Sequence, residues 1–498
     1  MKRRFAVPTI ILVMGLGLFL AGEATAQTFT VLHRFTASGT TNNGGYYPRG
    51  RLAADPSGNI LYGTLNLGGS GYFGTVYAIN TDGTGFTNLH NFVTYTNGTQ
   101  PAAGVILSGN TLYGTAWQGG AAGNGAIFAV KTNGTGWTNL HHFTATVGPE
   151  PFSINSDGAH PLSALILSNN RLYGTAEYGG SAGNGTIFAL NTNGTGFTTV
   201  HHFAAGAEES IFGNYTNSGG IRPRGGLVVS ENTLYGTAVG GGRFARGTVF
   251  KVNTDGSGFT TLHDFTRADY HPVLNPFSGN SDGTHPVAPL ILSGDTLYGT
   301  AEAGGYFGQG TVFKINTNGT GFTTLHSFFH TSDGYYANAG LFLSGNTLYG
   351  AAIGGGKHGN GTIFALNTDG SGFTNLHNFI ADDDGSEPDA LVLLGNALYG
   401  VARQYGTPPP EYSDNGTVFR LSFTPQLTIN RSETNVVLTW PTHIAGFDYA
   451  GHTLQSTTNL DSSAVWSTNS SAPVVVNGQN TVTNPASEPQ RFFRLKSP

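Results

Sequence analysis

The stretch Leu-Tyr-Gly followed by Thr, Ala or Val begins at Leu61, Leu112, Leu172, Leu234, Leu297, Leu348 and Leu398, at spacings of 51, 60, 62, 63, 51 and 50 residues. A period of this size marks propeller blades or solenoid units, in which each repeat is one supersecondary element that buries its apolar face against a neighbour. The pattern inside the repeat decides between them. In the copy around Leu172, "ALILSNN", "RLYGTA", "GTIFAL" and "FTTVHHF" are four short stretches rich in β-branched and aromatic residues. Gly, Asn, Asp and Ser punctuate the joins, as hairpins require. Four antiparallel strands, repeated radially, is the plan of a β-propeller.

From the Leu of each "LYG" to the last Phe of the fourth strand the offset is 31 residues in six copies, Leu61 to Phe92 through Leu348 to Phe379. All large length variation therefore falls between a fourth strand and the next repeat, which predicts rigid blades with variable loops on one face. The seventh copy has "ALYGVA" and "GTVFRL" but no fourth strand. "QTFTVLHRF", Gln27 to Phe35, is a fourth strand with no partners ahead of it. Both anomalies disappear if the first mature strand completes the last blade, which also removes an exposed sheet edge. The expected fold is all-β: a seven-bladed β-propeller over 27–423 closed by its N-terminal strand. An open solenoid is the alternative, but it needs caps that the sequence does not contain. Residues 426–498 alternate like the strands of a small Ig/FN3-like β-sandwich, with Trp440 and Trp466 expected in its core.

Residues 1–26 read as a signal peptide: basic Lys2, Arg3 and Arg4, an apolar run, and the small-x-small end Ala24 to Ala26. Its removal takes away three basic residues and Glu23, moving the formal net charge from −6 to −8. No basic cluster remains, so nucleic acid is not an expected partner. Without Cys no disulfide can form, and packing alone must hold an exported fold. A monomer secreted, periplasmic or at the cell surface, with no membrane span after cleavage and no cofactor, is expected.

"LYGTxxxGGxxGxGTxF" with "FTxLHxF" and "SDGxxP" resembles the GloVer tandem repeats of exported bacterial proteins, and the ending "RFFRL" is similar to C-terminal β-modules of verrucomicrobial exported proteins. The resemblance implies export and a C-terminal sorting or anchoring module. It implies no activity that can be carried over residue by residue.

His33, His90, His141, His201, His263, His326 and His377 hold the same place in seven fourth strands. Catalysis needs a few unlike groups converging on one point, so these point to a structural joint. The "SDG" loops suggest Asx turns feeding a Pro. Only Asp382, Asp383, Asp384 and Glu387 form a weak candidate for calcium, since EF-type spacing is absent. HExxH, nucleophile-elbow, Walker and dinucleotide motifs are all missing. Aromatic loop residues are more suggestive. Trp117, Tyr178, Phe244 and Tyr306 in the loops between second and third strands, with Tyr47, Tyr335 and Tyr336 between blades, suit stacking on sugar rings. The expected function is non-catalytic binding of a polysaccharide or surface protein by the variable loop face. The rivals are a polysaccharide-cleaving hydrolase or lyase using His160, His271, His285, His330, Asp157 and Asp282, and a structural envelope protein with no discrete ligand.

Overall fold

The computed structural model describes residues 27–35, 44–149, 152–208, 215–267, 269–271, 275–329, 331–406, 415–432, 434–449, 451–458, 465–468, 471–486 and 491–496. The signal peptide expected over 1–26 and the candidate His330 lie outside the described residues. Regular structure among the described residues is β throughout, apart from one 3-10 turn at Tyr95–Asn97. No helix there is long and apolar enough to cross a membrane. Two compact units separate: Gln27–Thr424 with Ala445–Asp448, and Pro425–Ile444 with Tyr449–Pro498.

Among the described residues the larger unit contains seven four-stranded antiparallel sheets. Sheet three shows why the repeat folds this way. Its strands Ile166–Ser168, Arg171–Ala176, Thr186–Asn191 and Thr198–His202 pair in chain order. Asn169 and Asn170, at φ 49 and 62, close the first hairpin in the left-handed region that Asn tolerates. Gly174 of the "LYG" lies under the Phe188 ring, where a Cβ would stand 2.6 Å from the ring carbon Cζ. Sheets one, two, four, five and six begin at Tyr46, Ile106, Val228, Ile291 and Phe342 and repeat this order. In sheet seven, Ser386–Leu394, Ala397–Gln404 and Thr417–Phe423 are joined by Gln27–Arg34, with Gln27 opposite Phe423 and Arg34 opposite Thr417. The start of the unit thus supplies the strand that the last repeat lacks.

The core lies between successive sheets rather than inside each one. Tyr113, Ile127 and Phe143 of sheet two pack with Leu165, Leu172 and Phe188 of sheet three. Tyr173 and Phe203 of sheet three pack in turn with Leu234 and Phe250 of sheet four. Phe35, Tyr399 and Val418 of sheet seven meet Leu52, Leu61 and Tyr77 of sheet one. Each fully buried Phe contributes on the order of 2–3 kcal/mol, and the repeat places one at the same point in every fourth strand.

In the smaller unit, Thr428–Ser432, Asn435–Pro441, Gln479–Pro485 and Val474–Val476 form one sheet. Ser467–Thr468, Thr453–Thr457 and Phe492–Lys496 form another. Trp440 is fully buried, as expected of a core residue. Trp466 is not: it is half-buried, with the Arg494 guanidinium 4.2 Å from its ring centroid.

Candidate functional site

The repeated histidines are joints between sheets. A β-bulge in each third-to-fourth strand pairing, such as Ile187 opposite His201 followed by Phe188 opposite Thr199, re-aims the imidazole toward the next sheet. There it stacks on the aromatic residue that opens the next fourth strand: His90 on Trp137 at 3.5 Å, His141 on Phe197 at 3.7 Å, His201 on Phe259 at 3.9 Å, His263 on Phe322 at 3.7 Å and His326 on Phe373 at 3.8 Å. His377 stacks on Phe29 and His33 on Phe86, so sheet seven is tied to sheets six and one by the same contact.

Four of the seven joints carry a second bond. His141, His263, His326 and His377 meet Asp157, Asp282, Asp333 and Asp384 through Nε2 at 2.8–3.0 Å. Each Asp belongs to the "SDG" or "DDG" loop of the following sheet, and the Asp157 carboxylate also accepts the Thr144 N–H. At the corresponding place the other three joints offer Gly44, Asn97 or Gly219. Burial pushes His90 and His201 down to about 4, and it also lowers His33. His326 is lowered by burial too, with Asp333 opposing. The Asp157 and Asp282 carboxylates, both buried, are bonded to His141 and His263 of the preceding sheet rather than to His160 or His285.

A second repeated position behaves in the opposite way. Tyr47, Gln100, His160, Arg222, His285, Tyr336 and Glu387, one per sheet, all sit at positive φ between 55 and 64. Each N–H crosses to the preceding sheet, for example His160 to the Asn124 carbonyl at 2.8 Å and Arg222 to the Asn184 carbonyl at 2.9 Å. All but Tyr336 precede Pro. That Pro packs where only Gly leaves room: a Cβ on Gly185, itself at φ 100, would stand 2.6 Å from Pro223 Cδ. A non-Gly residue held this way costs on the order of 1–3 kcal/mol. Glycine would avoid the cost, yet all seven positions carry large hydrogen-bonding side chains of five different kinds. Gln100 and Arg222 were not among the residues that the sequence suggested. The signal was the residue before Pro, aligned across repeats.

Backbone bridges Thr99–Gln118, Ala159–Tyr178, Ile221–Gly240, Thr284–Ala303 and Tyr335–Gly354 run the inter-sheet loops beside the loops between second and third strands. Of the expected aromatic residues, Trp117 and Tyr178 are brought together through His160, whose ring lies 5.5 Å from Trp117 and 5.8 Å, edge-on, from Tyr178. His160 Nδ1 is 3.0 Å from the Trp117 carbonyl. A carbonyl only accepts, so this nitrogen carries the proton. The Arg222 guanidinium lies over Tyr178 at 5.3 Å, and below it Arg224 donates to the buried Glu177 at 2.8 Å. Burial first, then the Glu177 carboxylate, pushes the Tyr178 phenol up.

Tyr306 does not join them. It is 68% exposed and packs on Phe307, which packs on Phe329, on the fourth-strand side of its loop. Phe244 lies under the Arg243 guanidinium, and Tyr335 meets Tyr336 edge-on at 4.8 Å. His285 sits in sheet five, its imidazole pushed down by burial and then by Arg246. His271 lies in the short strand Asp269–His271, and its side chain is outside the described structure.

Sheets seven and one hold a different cluster. Arg403 donates to Asp389 at 2.8 Å, the Gly50 N–H donates to the same carboxylate at 2.8 Å, and Gln404 donates to the Tyr47 hydroxyl at 2.7 Å. Burial would raise the Asp389 carboxyl, but Arg403, the Gly50 N–H and Arg49 hold it below its usual range. The ion pair of this cluster is Arg403 with Asp389. In the acidic run, Asp384 is committed to His377 and the Ile380 N–H, and Asp383 lies 3.8 Å from Arg34. Among the described residues no group of three or more His, Asp or Glu could hold a metal ion.

The sequence matches the Gloeobacter/Verrucomicrobia repeat family over residues 15–213 and 266–460. No curated protein matches. Solved structures that are similar in fold include a chain of the nidogen/laminin complex, at 13% identity and TM-score 0.37, covering 64% of this chain and 93% of that one. Others are an oligogalacturonate lyase from Vibrio parahaemolyticus, at 10%, TM-score 0.43, covering 80% and 97%, and an oligogalacturonate lyase in complex with manganese, at 9%, TM-score 0.44, covering 80% and 96%.

Proposed function

The chain belongs to the Gloeobacter/Verrucomicrobia repeat family, and from that premise we propose that it is an exported binding protein whose repeat unit is a seven-bladed β-propeller closed by its first strand. The seven sheets, the Gln27–Arg34 pairing and the chain of His-aromatic joints support the architecture. The basic start, apolar run and Ala24–Ala26 support export. One observation carries the binding reading: seven equivalent backbone positions keep a costly left-handed conformation while their side chains all point to hydrogen bonding and differ from sheet to sheet. A scaffold has no use for unlike strained side chains, whereas a recognition surface does. The ligand is a polysaccharide, held by Trp117, Tyr178 and the hydrogen-bonding residues between them.

The experiment is a glycan screen of the purified protein, read both for binding and for new reducing or unsaturated ends. Binding without new ends is the expected result. Turnover abolished by His285→Ala would make the protein an enzyme instead. Neither binding nor turnover would leave a structural envelope role.

A further inference from the structure

Three consecutive members of the left-handed set, His160, Arg222 and His285 on sheets three, four and five, are the ones that bear or can bear positive charge. The same stretch carries Arg224, Arg243 and Arg246. The same stretch also carries acids, and Asp264 accepts the Arg243 N–H at 2.8 Å. Glu177 is buried and already neutralised by Arg224 at 2.8 Å. Arg222, which neighbours it, has no ion pair among the described residues. Its guanidinium is anchored instead by the Tyr178 face at 5.3 Å, a contact that fixes the head while leaving its N–H donors unspent. An anchored planar fork of donors suits a carboxylate, which it can grip with two parallel hydrogen bonds.

His160 stands next to it with Nδ1–H directed to the Trp117 carbonyl at 3.0 Å. In the neutral ring that leaves Nε2 as an acceptor for a hydroxyl, and in the protonated ring as a second donor. Trp117, half-buried and 5.5 Å from the imidazole, supplies an apolar wall beside them. A cation, a hydroxyl acceptor and an aromatic wall in contiguous contact match one repeating chemical unit, a sugar ring that carries a carboxylate. The whole chain is net negative, so the attraction for an acidic ligand has to come from the Arg222 guanidinium itself.

We infer that Trp117, His160, Tyr178 and Arg222 form a subsite for a uronate residue, so that the ligand is an acidic polysaccharide. The inference rests on the reading of this face as a glycan-binding surface. Arg222 takes the carboxylate, His160 Nε2 takes a ring hydroxyl, and Trp117 borders the apolar side of the ring.

The test is calorimetric titration of the purified protein with oligosaccharides of polyglucuronate, polymannuronate and polygalacturonate, each beside its carboxyl-reduced neutral counterpart. At least one acid is expected to bind ten-fold or more tighter than its reduced form, with the margin shrinking as salt is added. Arg222→Gln should lose about ten-fold for the acid and less than two-fold for the neutral sugar, at an unchanged melting temperature, and Arg222→Lys should fall between. If Arg222→Gln does not fold, His160→Gln is the second variant, with a smaller loss expected for both sugars. Equal binding of acid and neutral forms, or an acid preference that survives Arg222→Gln, would overturn the uronate subsite and leave the glycan-binding reading standing. Absence of binding to every member, charged or neutral, would remove both.

Discussion

The fourth-strand histidines and the seven left-handed positions are each repeated once per sheet, and they differ in what the repetition preserves. At the histidines both backbone and side chain are the same: a bulge, an imidazole and an aromatic partner one sheet on. At the left-handed positions only the backbone is the same, and Tyr, Gln, His, Arg and Glu occupy it. A side chain that every sheet needs equally is holding sheets together. A side chain free to differ is not what the sheets share, and under the binding reading proposed above it is where recognition is written, although Tyr47 and His160 also bond within the fold.

The most severe way to break the first half of this comparison is to delete Gln27–Arg34. The deletion strips the Thr417–Phe423 edge and removes Phe29 from His377 and His33 from Phe86, so two joints fail together. Scanning calorimetry should show the cooperative transition lost or lowered by more than about 10 °C, since exposed edge and lost core act together. A truncated protein that melts like the intact one would mean that sheet seven is stable without its fourth strand.

Less drastic substitutions separate the two kinds of joint. His141→Ala removes the stacking ring and one bond to the buried Asp157 carboxylate, which keeps its Thr144 donors, and should cost about 2–3 kcal/mol. His201→Ala removes only a stacking ring and should cost about 1–2 kcal/mol. Denaturant unfolding measures both. The pH dependence follows from the same contrast. His90 and His201 have folded values of about 4 against 6.5, so below pH 6.5 the unfolded chain takes up protons that the fold refuses. Their contribution is complete above pH 6.5 and is lost as the pH falls toward 4. Asn97→Asp gives His90 the partner that Asp157 gives His141, and should flatten part of that loss. A variant whose melting temperature falls with pH as steeply as the parent would show that residue 97 does not reach His90.

Repeat number, strand order and the pairing of Gln27–Arg34 with the last repeat were legible in the sequence because they depend on periodic apolar spacing, which local chemistry controls. The structural role of the histidines was legible for the same reason: identical letters at one offset. What could not be read was Asp157 and Asp282 turning inward. In the sequence each stands three residues from a His, His160 or His285, and looks like its partner, whereas the bond crosses to the fourth strand of the preceding sheet. The placement of Tyr306 was hidden in a related way. Aromatic content marked the loop, but three residues of offset from Tyr178's place put the ring on the fourth-strand side. Arg222 was missed because its meaning is a backbone angle shared with six other residues, which composition does not record and which only the following Pro, aligned across repeats, marks.

The smallest expected effect tests the second half of the comparison most directly. Gln100 is held at φ 56 before Pro101, with its N–H on the Phe73 carbonyl and its carbonyl accepting from the Trp117 N–H. Gln100→Gly keeps both backbone bonds and relieves the left-handed strain, worth about 1 kcal/mol. Against this, glycine gives the unfolded chain more freedom to lose. The two terms nearly offset, so chemical denaturation should find stability unchanged or raised by up to about 1 kcal/mol. Glycan affinity, measured on the same sample, should fall about two- to five-fold if Gln100 supplies one hydrogen bond to the ligand. A clear loss of stability would mean that the Gln100 side chain holds the fold, and that this position belongs with the histidines.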